Sequence, residues 1–441
     1  MSHVATTFHD IAVDSLGTAE FPSPIRRARK PGENLCTFVS PEARIREFVE
    51  FSLVHPPAEE RLFESAGPRE HLFFRPALTR CAVVTCGGLC PGLNNVIRSL
   101  FLELHFNYGV AVVLGIPYGY QGLDPSMGHA PIVLTPDSVL NIHHQGGTML
   151  ASSRGERDPE VMLNFLLQQR VDVLFCVGGD GTQRGAHAIA MKAKERGAKL
   201  AVVGIPKTID NDLSFCDRTF GLVTAVEKAV EALDCAHVEA QGAPRGIGLV
   251  RLMGRDAGFI ACNATLASQD VNYCLIPECP FELDGPRGLL EALRSRIDGR
   301  GHAVIAVAEG AGQHLFGASS GTHDASGNRR FQDIGVYLKD RITTFFKERN
   351  RPVELKYIDP SYMIRSAPAN CDDMLLCDQL ARHAAHAAMA GKTDVLICYK
   401  NGKFLHVPIP MAVAKKQQVE LDGPLWASVL AATGQSARYG E

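Results

Sequence analysis

The sequence predicts an α/β protein of two doubly wound lobes with parallel sheets, preceded by an N-terminal extension. Of its 441 residues, 46% are hydrophobic and 21% charged, which provides enough apolar material for large cores and too little charge for a disordered chain. From Arg80 onward, short apolar runs alternate with amphipathic stretches. This repeating part spans about 360 residues, which is more than one hydrophobic core usually supports.

Seven runs rich in Val, Ile and Leu predict the strands. They are residues 81–85, 110–116, 171–177, 199–205, 246–252, 302–308 and 394–399. Continuous apolar runs fit strands that are buried on both faces, and the helical spacers between them imply parallel crossovers. In such sheets ligands bind beyond the carboxyl ends of the strands, so the loops after these runs are the candidate functional segments.

The predicted lobes are discontinuous in sequence. Residues 1–77 lack repeating strand and helix units and contain a Pro/Arg-rich piece at 22–32, so we predict an extended, partly mobile extension. The first lobe is predicted to combine residues 78–221 with about 366–414. The second lobe is predicted to combine residues 222–365 with about 415–441.

Charge, hydropathy and cysteine usage exclude several classes of function. Because 45 basic and 48 acidic residues give a net charge of −3, we expect no nucleic-acid partner. No run of about 18 apolar residues occurs, and no apolar stretch follows a basic start, so we expect neither a membrane span nor a signal peptide. The 13 cysteines form no Cys-x-x-Cys pair, which favours reduced thiols in the cytoplasm. His383 and His386, three residues apart, would suit metal ligation, but packing of an Ala-rich helix is favoured.

The first strand is followed by a glycine-containing loop, residues 85–94, that leads into a helix. Gly87 and Gly88 expose backbone N–H groups where the positive end of a helix dipole would attract a phosphate. An ordinary strand-to-helix turn is the alternative.

The third run ends in the loop Gly178-Gly179-Asp180-Gly181-Thr182. A carboxylate among glycines can hold Mg²⁺ while the glycine backbone surrounds a polyphosphate. Asp180 would otherwise cap the following helix, but a cap needs no surrounding glycines. The chain contains neither a Walker loop nor a Gly-x-Gly-x-x-Gly sequence.

The fourth run ends in Pro206-Lys207-Thr208-Ile209-Asp210-Asn211-Asp212. A carboxylate in this loop could accept the proton of a substrate hydroxyl, and Lys207 could contact a phosphate. The alternative is an Asx-rich turn, which would not require a lysine and two acids.

Three later segments carry further polar candidates. Arg255 and Arg365 could each bind a phosphate through paired donors, and Glu309 could accept hydrogen bonds from sugar hydroxyls. Taken singly, each is equally compatible with a solvated charge or a structural ion pair.

Together these loops, in this order, resemble the 6-phosphofructokinase family. The similarity is to its long, plant-type ATP-dependent branch and covers about residues 67–408. The matching stretches are VTCGGLCPGLN, GGTMLASSRG, GGDGTQRGA, GIPKTIDND, LVRLMGRDAGFIA and YIDPSYMIR. The resemblance implies a phosphofructokinase fold of two Rossmann-like lobes, the first binding nucleotide and the second binding fructose 6-phosphate. It also implies transfer of the γ-phosphate of Mg-ATP to the 1-hydroxyl of the sugar, a step of glycolysis.

The resemblance also implies roles for individual residues. The nucleotide would be bound by Gly87, Arg154, Gly155, Gly179, Asp180, Gly181 and Thr182, with Mg²⁺ on Asp180. Fructose 6-phosphate would be bound by Thr208, Ile209, Asp210, Met253, Gly254, Arg255, Glu309, Lys356, Tyr362, Met363, Ile364 and Arg365. Asp210 would be the catalytic base, Arg154 would stabilise the transferring group, and Thr208 completes the catalytic set.

In this family a phosphate clamp crosses the subunit interface, so the resemblance implies a homo-oligomer, either a dimer or a tetramer. Lys356 lies where many short bacterial members have an arginine. The second interface arginine of those enzymes corresponds to Gly246, with Arg245 adjacent, and whether Arg245 replaces it stays open.

Two positions discriminate between ATP and pyrophosphate as phosphate donor. Pyrophosphate-dependent members resemble this chain at Lys207 but carry Asp where it has Gly181. An aspartate there would repel the α-phosphate by roughly 4 kcal/mol at about 4 Å and an effective dielectric near 20. Gly181 therefore favours ATP, and pyrophosphate-dependent phosphotransfer is the alternative.

Two other classes of function remain as rivals. The stretch Gly-Gly-Asp-Gly-Thr also resembles NAD kinases and lipid kinases, which would use a different acceptor. A non-catalytic regulatory subunit of the same fold is the second rival. The retained residues Asp180, Asp210, Arg154 and Arg255 favour an active enzyme.

Overall fold

The computed structural model describes residues 7–25, 38–50, 57–317 and 331–440. Its strands are β1 (Thr7–Ile11), β2 (Phe21–Pro22), β3 (Arg44–Arg46), β4 (Glu59–Ser65), β5 (His71–Leu72), β6 (Arg80–Thr85), β7 (Val112–Ile116), β8 (Ile132–Val133), β9 (Val173–Gly178), β10 (Ala201–Pro206), β11 (Gly246–Leu252), β12 (Tyr273–Leu275), β13 (Ala303–Ala308), β14 (Glu354–Ile358), β15 (Val395–Lys400) and β16 (Lys403–Pro408).

The α-helices are α1 (Leu93–Leu102), α2 (Pro159–Gln168), α3 (Asp180–Glu195), α4 (Leu222–Gln241), α5 (Phe259–Ser268), α6 (Leu289–Arg300), α7 (Ile334–Glu348), α8 (Ser361–Ser366), α9 (Cys371–Met389), α10 (Ile409–Ala412) and α11 (Pro424–Thr433). A π-helical turn continues α1 over Glu103–Tyr108. Short 3₁₀ turns lie at Pro76–Leu78, Gly119–Leu123, Pro125–Met127, Ile142–His144 and Gln313–Phe316.

The chain divides into two compact units. Unit 1 contains Met1–Thr208, Leu213–Gly221 and Ala367–Lys416, and unit 2 contains Ile209–Asp212, Leu222–Ser366 and Gln417–Glu441. The loop after β10 is therefore split, because Lys207 and Thr208 group with unit 1 whereas Asp210 and Asp212 group with unit 2.

Unit 1 is built on a ten-stranded sheet of the described residues. The strand order is β1-β4-β16-β15-β10-β9-β6-β7-β8, with β3 paired to β4. The central strands β15, β10, β9, β6 and β7 are parallel, as the apolar runs predict. β8 pairs with β7 and β16 pairs with β15, both antiparallel. β2 and β5 form a separate antiparallel pair.

Three strands of the predicted N-terminal extension, β1, β3 and β4, belong to this sheet, where the sequence predicts an extension without repeating strand and helix units. β4 pairs with β16, and β1 and β3 pair with β4. The sequence pattern hides β4 because two of its buried side chains are carboxylates, Glu60 and Glu64, which pair with basic residues. Most of the Pro/Arg-rich piece, residues 26–32, lies outside the described residues.

Unit 2 contains a parallel four-stranded sheet of order β12-β13-β11-β14. Strands β11 and β13 coincide with predicted runs, whereas β12 and β14 are too short or too polar to be predicted from hydropathy. Its core includes Ile247, Leu249, Ile305 and Val307 from the strands, packed with side chains of α6 and α7. The mixed α/β architecture with mostly parallel sheets is as predicted.

No helix among the described residues is both long and apolar enough to cross a membrane.

His386 is buried and its Nδ1 lies 2.9 Å from the Tyr108 hydroxyl, while the ring of His383 stacks on Phe404. These contacts agree with a packing role for the two histidines.

Candidate active site

The candidate nucleotide-binding loops of unit 1 follow three strands that are adjacent in the sheet. β6 leads to Gly87, β9 leads to Gly179, and β10 leads to Lys207. Because parallel strands end at the same edge of a sheet, their loops are brought together there. The backbone N–H of Lys207 donates to the Gly178 carbonyl at 3.1 Å, which joins two of these loops.

Gly87 adopts a left-handed backbone conformation, with φ of +86°. A side chain at this position would be strained, and its Cβ would lie 3.1 Å from the Lys207 ammonium nitrogen. Glycine therefore allows the backbone and the lysine to approach each other closely.

Two cations lie against the Gly87-Gly88 turn. The Lys207 Nζ donates to the Gly88 carbonyl at 2.8 Å, and a Cβ placed on Gly88 would lie 3.2 Å from the Arg154 Nη2. Lys207 is buried, whereas Arg154 is exposed. A loop of glycine backbone beside a lysine and an arginine is suited to bind phosphate groups.

The segment that carries Arg154 is anchored to the first loop by hydrogen bonds. The Gly87 N–H donates to the Ser153 carbonyl at 3.0 Å, and the Ser152 hydroxyl donates to the Gly87 carbonyl at 2.6 Å. The Met149 N–H donates to the Asn94 Oδ1 at 2.8 Å, which ties the segment to α1. Gly155, adjacent to Arg154, is exposed with φ of +102°.

Asp180 is the first residue of α3, and Gly179 is its N-cap. The carboxylate of Asp180 is 27% exposed and lies 3.1 Å from the Arg184 Nε, one turn further along the helix. Thr182 is buried, and its carbonyl accepts a hydrogen bond from the Tyr120 hydroxyl at 2.6 Å. A Cβ at Gly181 would meet nothing within 4 Å, so the space beside this residue is open.

Thr208 ends the part of the fourth loop that belongs to unit 1. Its side chain is buried, and its carbonyl accepts a hydrogen bond from the Thr219 hydroxyl at 2.6 Å. This contact fixes the backbone immediately before the acidic residues.

Asp210 is a carboxylate of unit 2 whose surroundings raise its pKa strongly. Its Oδ1 is buried although the residue as a whole is partly exposed. Burial and the nearby charges of Asp212 and Glu309 raise its pKa to about 7, against an opposing effect of Arg255 and Arg365. A carboxylate with a pKa near neutrality is suited to accept a proton at physiological pH.

The segment Met253–Arg255 forms a tight turn after β11. Gly254 has φ of +133°, and a Cβ there would lie 2.3 Å from the Ala257 carbonyl oxygen, so only glycine fits. Arg255 also has a positive φ of +49°, and its N–H donates to the Glu309 Oε1 at 3.2 Å. This bond connects the turn to the residue that follows β13.

The remaining predicted residues of unit 2 lie on β14 and α8. Tyr362 and Met363 are 84% and 69% exposed, and Lys356 is also exposed. Ile364 is fully buried, and the exposed fractions of Ile209 and Met253, which lie in earlier loops, are at most 5%. The side chains of these three apolar residues pack in the interior, so only their backbone groups are available to a ligand.

Sequence reasoning gave no role to Arg251 or Asp359 of unit 2, although both lie in segments that it singled out. Arg251 lies on β11, and its guanidinium pairs with Glu309 and Asp359. The available signal was an arginine inside the otherwise apolar run of residues 246–252. That signal does not identify the carboxylates with which Arg251 pairs, because the two acids follow other strands.

The family model described as Phosphofructokinase matches residues 80–388 of the chain. The chain is 46% identical over 437 residues to the ATP-dependent 6-phosphofructokinase of Borreliella burgdorferi, covering 97% of each protein. It is 44% identical to the ATP-dependent 6-phosphofructokinase of Trypanosoma brucei brucei, covering 96% of this chain and 87% of the relative. It is 45% identical to the ATP-dependent 6-phosphofructokinase 5, chloroplastic, of Arabidopsis thaliana, covering 85% and 70%.

Solved structures support the fold. A pyrophosphate-dependent phosphofructokinase from Marinobacter aquaeolei aligns with a TM-score of 0.66 at 18% identity, covering 82% of this chain and 93% of that chain. The Pichia pastoris phosphofructokinase in the T-state aligns with a TM-score of 0.62 at 21% identity, covering 85% and 39%. At these identities the likeness concerns the fold alone. The family match and the extensive sequence identity confirm the predicted relationship, and the chain belongs to the phosphofructokinase family.

Proposed function

We propose that the protein is an ATP-dependent 6-phosphofructokinase. It transfers the γ-phosphate of ATP to the 1-hydroxyl of fructose 6-phosphate and produces fructose 1,6-bisphosphate and ADP, a step of glycolysis. The observation that carries this proposal is the similarity, over nearly the whole chain, to proteins named ATP-dependent 6-phosphofructokinase.

On the donor side, we assign nucleotide binding to the loops of unit 1. Backbone N–H groups of Gly179 to Thr182 bind the phosphates, together with Arg154 and Gly155, whereas Gly87 shapes the first loop and keeps its own N–H on the Ser153 carbonyl. The cations against the first loop support this assignment, since Lys207 Nζ and Arg154 Nη2 both lie close to Gly87 and Gly88. Arg154 stabilises the charge that develops on the transferring phosphoryl group.

We assign Mg²⁺ to Asp180. Among the described residues, no cluster of three or more His, Cys, Asp or Glu forms a protein cage for a metal. Mg²⁺ in phosphoryl-transfer sites is commonly held by one or two carboxylates plus substrate phosphates and water, so the partly exposed carboxylate of Asp180 fits. When bound, the ion would neutralise phosphate charge. The Asp180 carboxylate would exchange its contact with Arg184 for the metal.

On the acceptor side, Asp210 is the general base. It accepts the proton of the sugar 1-hydroxyl as that oxygen attacks the γ-phosphorus and ADP leaves. Its pKa of about 7 supports this role, because the carboxylate still ionises near neutral pH and is a stronger base than that of an ordinary aspartate. Arg255 and Arg365 bind the 6-phosphate, and Glu309 accepts hydrogen bonds from the sugar hydroxyls.

Pyrophosphate-dependent phosphotransfer is the second candidate, and Lys207 is the observation that favours it. Its ammonium group lies on the first phosphate loop and would serve either donor. Gly181 favours ATP. It has no carboxylate that would repel the nucleotide, and the space beside it is open.

The enzyme is further proposed to be a cytoplasmic homo-oligomer, a dimer or a tetramer. Exposure of 84% for Tyr362, a residue assigned to the substrate, supports completion of the sugar site by a second copy. Light scattering coupled to gel filtration should give a multiple of 47.8 kDa, and activity should fall on dilution below the dissociation constant. A fully active monomer would contradict this proposal.

The proposed function is tested by a coupled assay on the purified full-length protein. ADP formation and fructose 1,6-bisphosphate formation are measured with fructose 6-phosphate, Mg²⁺ and either ATP or pyrophosphate. We expect turnover with ATP and little with pyrophosphate. Faster turnover with pyrophosphate would establish the second candidate, and nucleotide binding without turnover would indicate a regulatory subunit.

A further inference from the structure

Arg251 lies where three parallel strands of unit 2 end. It is the penultimate residue of β11, while Glu309 directly follows β13 and Asp359 directly follows β14. Both of those strands are hydrogen-bonded neighbours of β11. The register therefore brings two carboxylates to the same edge of the sheet, on either side of one arginine.

The guanidinium of Arg251 contacts three carboxylates at once. Its Nη1 lies 2.5 Å from the Asp359 Oδ2, its Nη2 lies 3.2 Å from the Glu309 Oε2, and its Nε lies 3.8 Å from the Asp333 Oδ1. The side chain is only 18% exposed. Burial opposes its charge, but the carboxylates around it raise the pKa of Arg251 above its ordinary value.

Two of these acids connect Arg251 to segments assigned to fructose 6-phosphate. The second oxygen of Glu309 accepts the Arg255 N–H at 3.2 Å. The second oxygen of Asp359 accepts both the N–H and the hydroxyl of Ser361, at 3.0 and 2.5 Å.

Ser361 is the first residue of α8, which carries Tyr362 and Arg365. Asp333, the third acid, caps α7 by accepting the Val336 N–H at 3.0 Å. Arg251 is thus linked both to the Met253–Arg255 turn and to the start of α8.

We propose that Arg251 is a positioning residue for the sugar-phosphate site. It does not contact the sugar phosphate itself but acts through Glu309 and Asp359. By holding these two carboxylates, it fixes the turn of Arg255 and the helix of Arg365 in the arrangement that binds fructose 6-phosphate. This inference rests on the proposed function, because it takes Glu309, Arg255 and Arg365 as sugar-phosphate residues.

The contacts explain why an arginine is needed. Without it, Glu309 and Asp359 would repel each other and would face an anionic substrate with uncompensated charge. A lysine supplies one compact ammonium group and lacks the two Nη donors, fixed in one plane, that reach Asp359 and Glu309 together. A neutral apolar side chain supplies neither the positive charge nor the donors.

The test is a steady-state comparison of Arg251→Met and Arg251→Lys with the unmodified enzyme. We expect the KM for fructose 6-phosphate to rise at least about 10-fold in Arg251→Met and less in Arg251→Lys, with the KM for ATP changing less than about threefold. The matched control is Arg341→Met. It removes an arginine of unit 2 whose Nη2 lies 2.7 Å from the Asp284 carboxylate and which does not contact Glu309 or Asp359. That control should leave both KM values unchanged.

A double-mutant cycle separates positioning from a general loss of structure. Asp359→Asn should raise the KM for fructose 6-phosphate alone, and in the Arg251→Met background it should add much less than it does alone, because both variants break the same link. The Asp359→Asn and Arg251→Lys variants keep the test available if Arg251→Met does not fold.

Three results would overturn the inference: an unchanged KM for fructose 6-phosphate, equal increases in both KM values, or additive effects in the cycle. Absence of fructose 6-phosphate turnover in the unmodified enzyme would instead refute the proposed function. The two failures are therefore distinguishable.

Discussion

At the scale of single residues, Asp210 has the electrostatic environment that its proposed role requires. Its pKa is raised to about 7 by burial and by Asp212 and Glu309, while Arg255 and Arg365 limit the increase. An aspartate that is destabilised in its ionised form binds a proton more strongly than one in water. The same environment that makes Asp210 a base also costs folding free energy at neutral pH.

Replacement of Asp210 by Asn should lower kcat by roughly 10²- to 10⁴-fold, the usual contribution of a general base. The variant should also unfold at a higher temperature than the unmodified protein at pH 8, with a smaller difference near pH 4. This direction follows from the raised pKa of Asp210. The contribution of Asp210 to stability is complete below its unfolded-state pKa of about 3.8 and is lost as the pH rises through about 7.

In the unmodified enzyme, kcat/KM should increase with pH through about 7, and Asp212→Asn should move this acid limb to lower pH. Retained kcat in Asp210→Asn would contradict the assignment of the base. A pH profile that is unchanged by Asp212→Asn would contradict the electrostatic explanation.

Gly181 gives a test of donor choice without a steric complication. Since a Cβ at this position meets no protein atom within 4 Å, an aspartate adds charge without a clash at Cβ. Gly181→Asp should raise the KM for ATP by up to about 10³-fold, which corresponds to roughly 4 kcal/mol of repulsion, and should barely change the KM for fructose 6-phosphate.

The control for this prediction is Gly181→Asn, which has nearly the same shape and no charge. Its KM for ATP should stay close to that of the unmodified enzyme. Equal effects of Asp and Asn at this position would show that size, not charge, decides donor choice.

At the scale of secondary-structure elements, strand β4 shows how charged residues can occupy a sheet interior. Glu64 is buried, and its carboxylate lies 2.9 Å from the Arg69 Nη2, 2.7 Å from the Lys392 Nζ and 3.4 Å from the His406 Nδ1. These partners come from a neighbouring strand, from the loop before β15 and from the chain after β4. The cluster therefore attaches the N-terminal strands to the remainder of unit 1.

Glu64→Gln should destabilise the protein by about 3–5 kcal/mol, because it leaves Arg69 as a buried charge and Lys392 as a partly buried charge without the carboxylate. Denaturant unfolding measures this free energy. The control is Glu59→Gln in the same strand, whose side chain is 75% exposed and which should change stability by less than about 0.5 kcal/mol.

The basic partners hold the pKa of Glu64 well below its ordinary value in spite of burial. Its stabilising contribution should accordingly be present above about pH 4.5 and be lost as the pH falls below it. A Glu64→Gln variant as stable as the control would show that β4 contributes little to unit 1.

At the scale of the whole molecule, both units use buried cysteines as small apolar side chains. Of the twelve described cysteines, Cys235 and Cys371 are exposed and the others are buried. Burial raises the pKa of the Cys86 thiol to about 12, and it also raises the pKa values of Cys81 and Cys176. Because the thiolate is the reactive form, these buried thiols should be inert in the folded protein.

Brief treatment of the native protein with iodoacetamide should label Cys235 and Cys371, and treatment after unfolding should label the remaining described cysteines as well. Peptide mass spectrometry measures each site. Labelling of Cys81 or Cys176 at the rate of Cys235 would indicate that the sheet of unit 1 opens readily. Cys36 lies outside the described residues.

The sequence by itself predicted the parallel strands and the loops after them from hydropathy along the chain. Residue types in short segments such as 178–182 carried the resemblance to the family and favoured ATP as the donor. Only the tertiary structure decided that β4 joins the large sheet, that the pKa of Asp210 is near 7, and that Arg251 links Glu309 to Asp359. The physical reason is distance: pKa shifts and ion pairs depend on groups far apart in sequence, such as Arg251 and Asp359, and only folding brings them together.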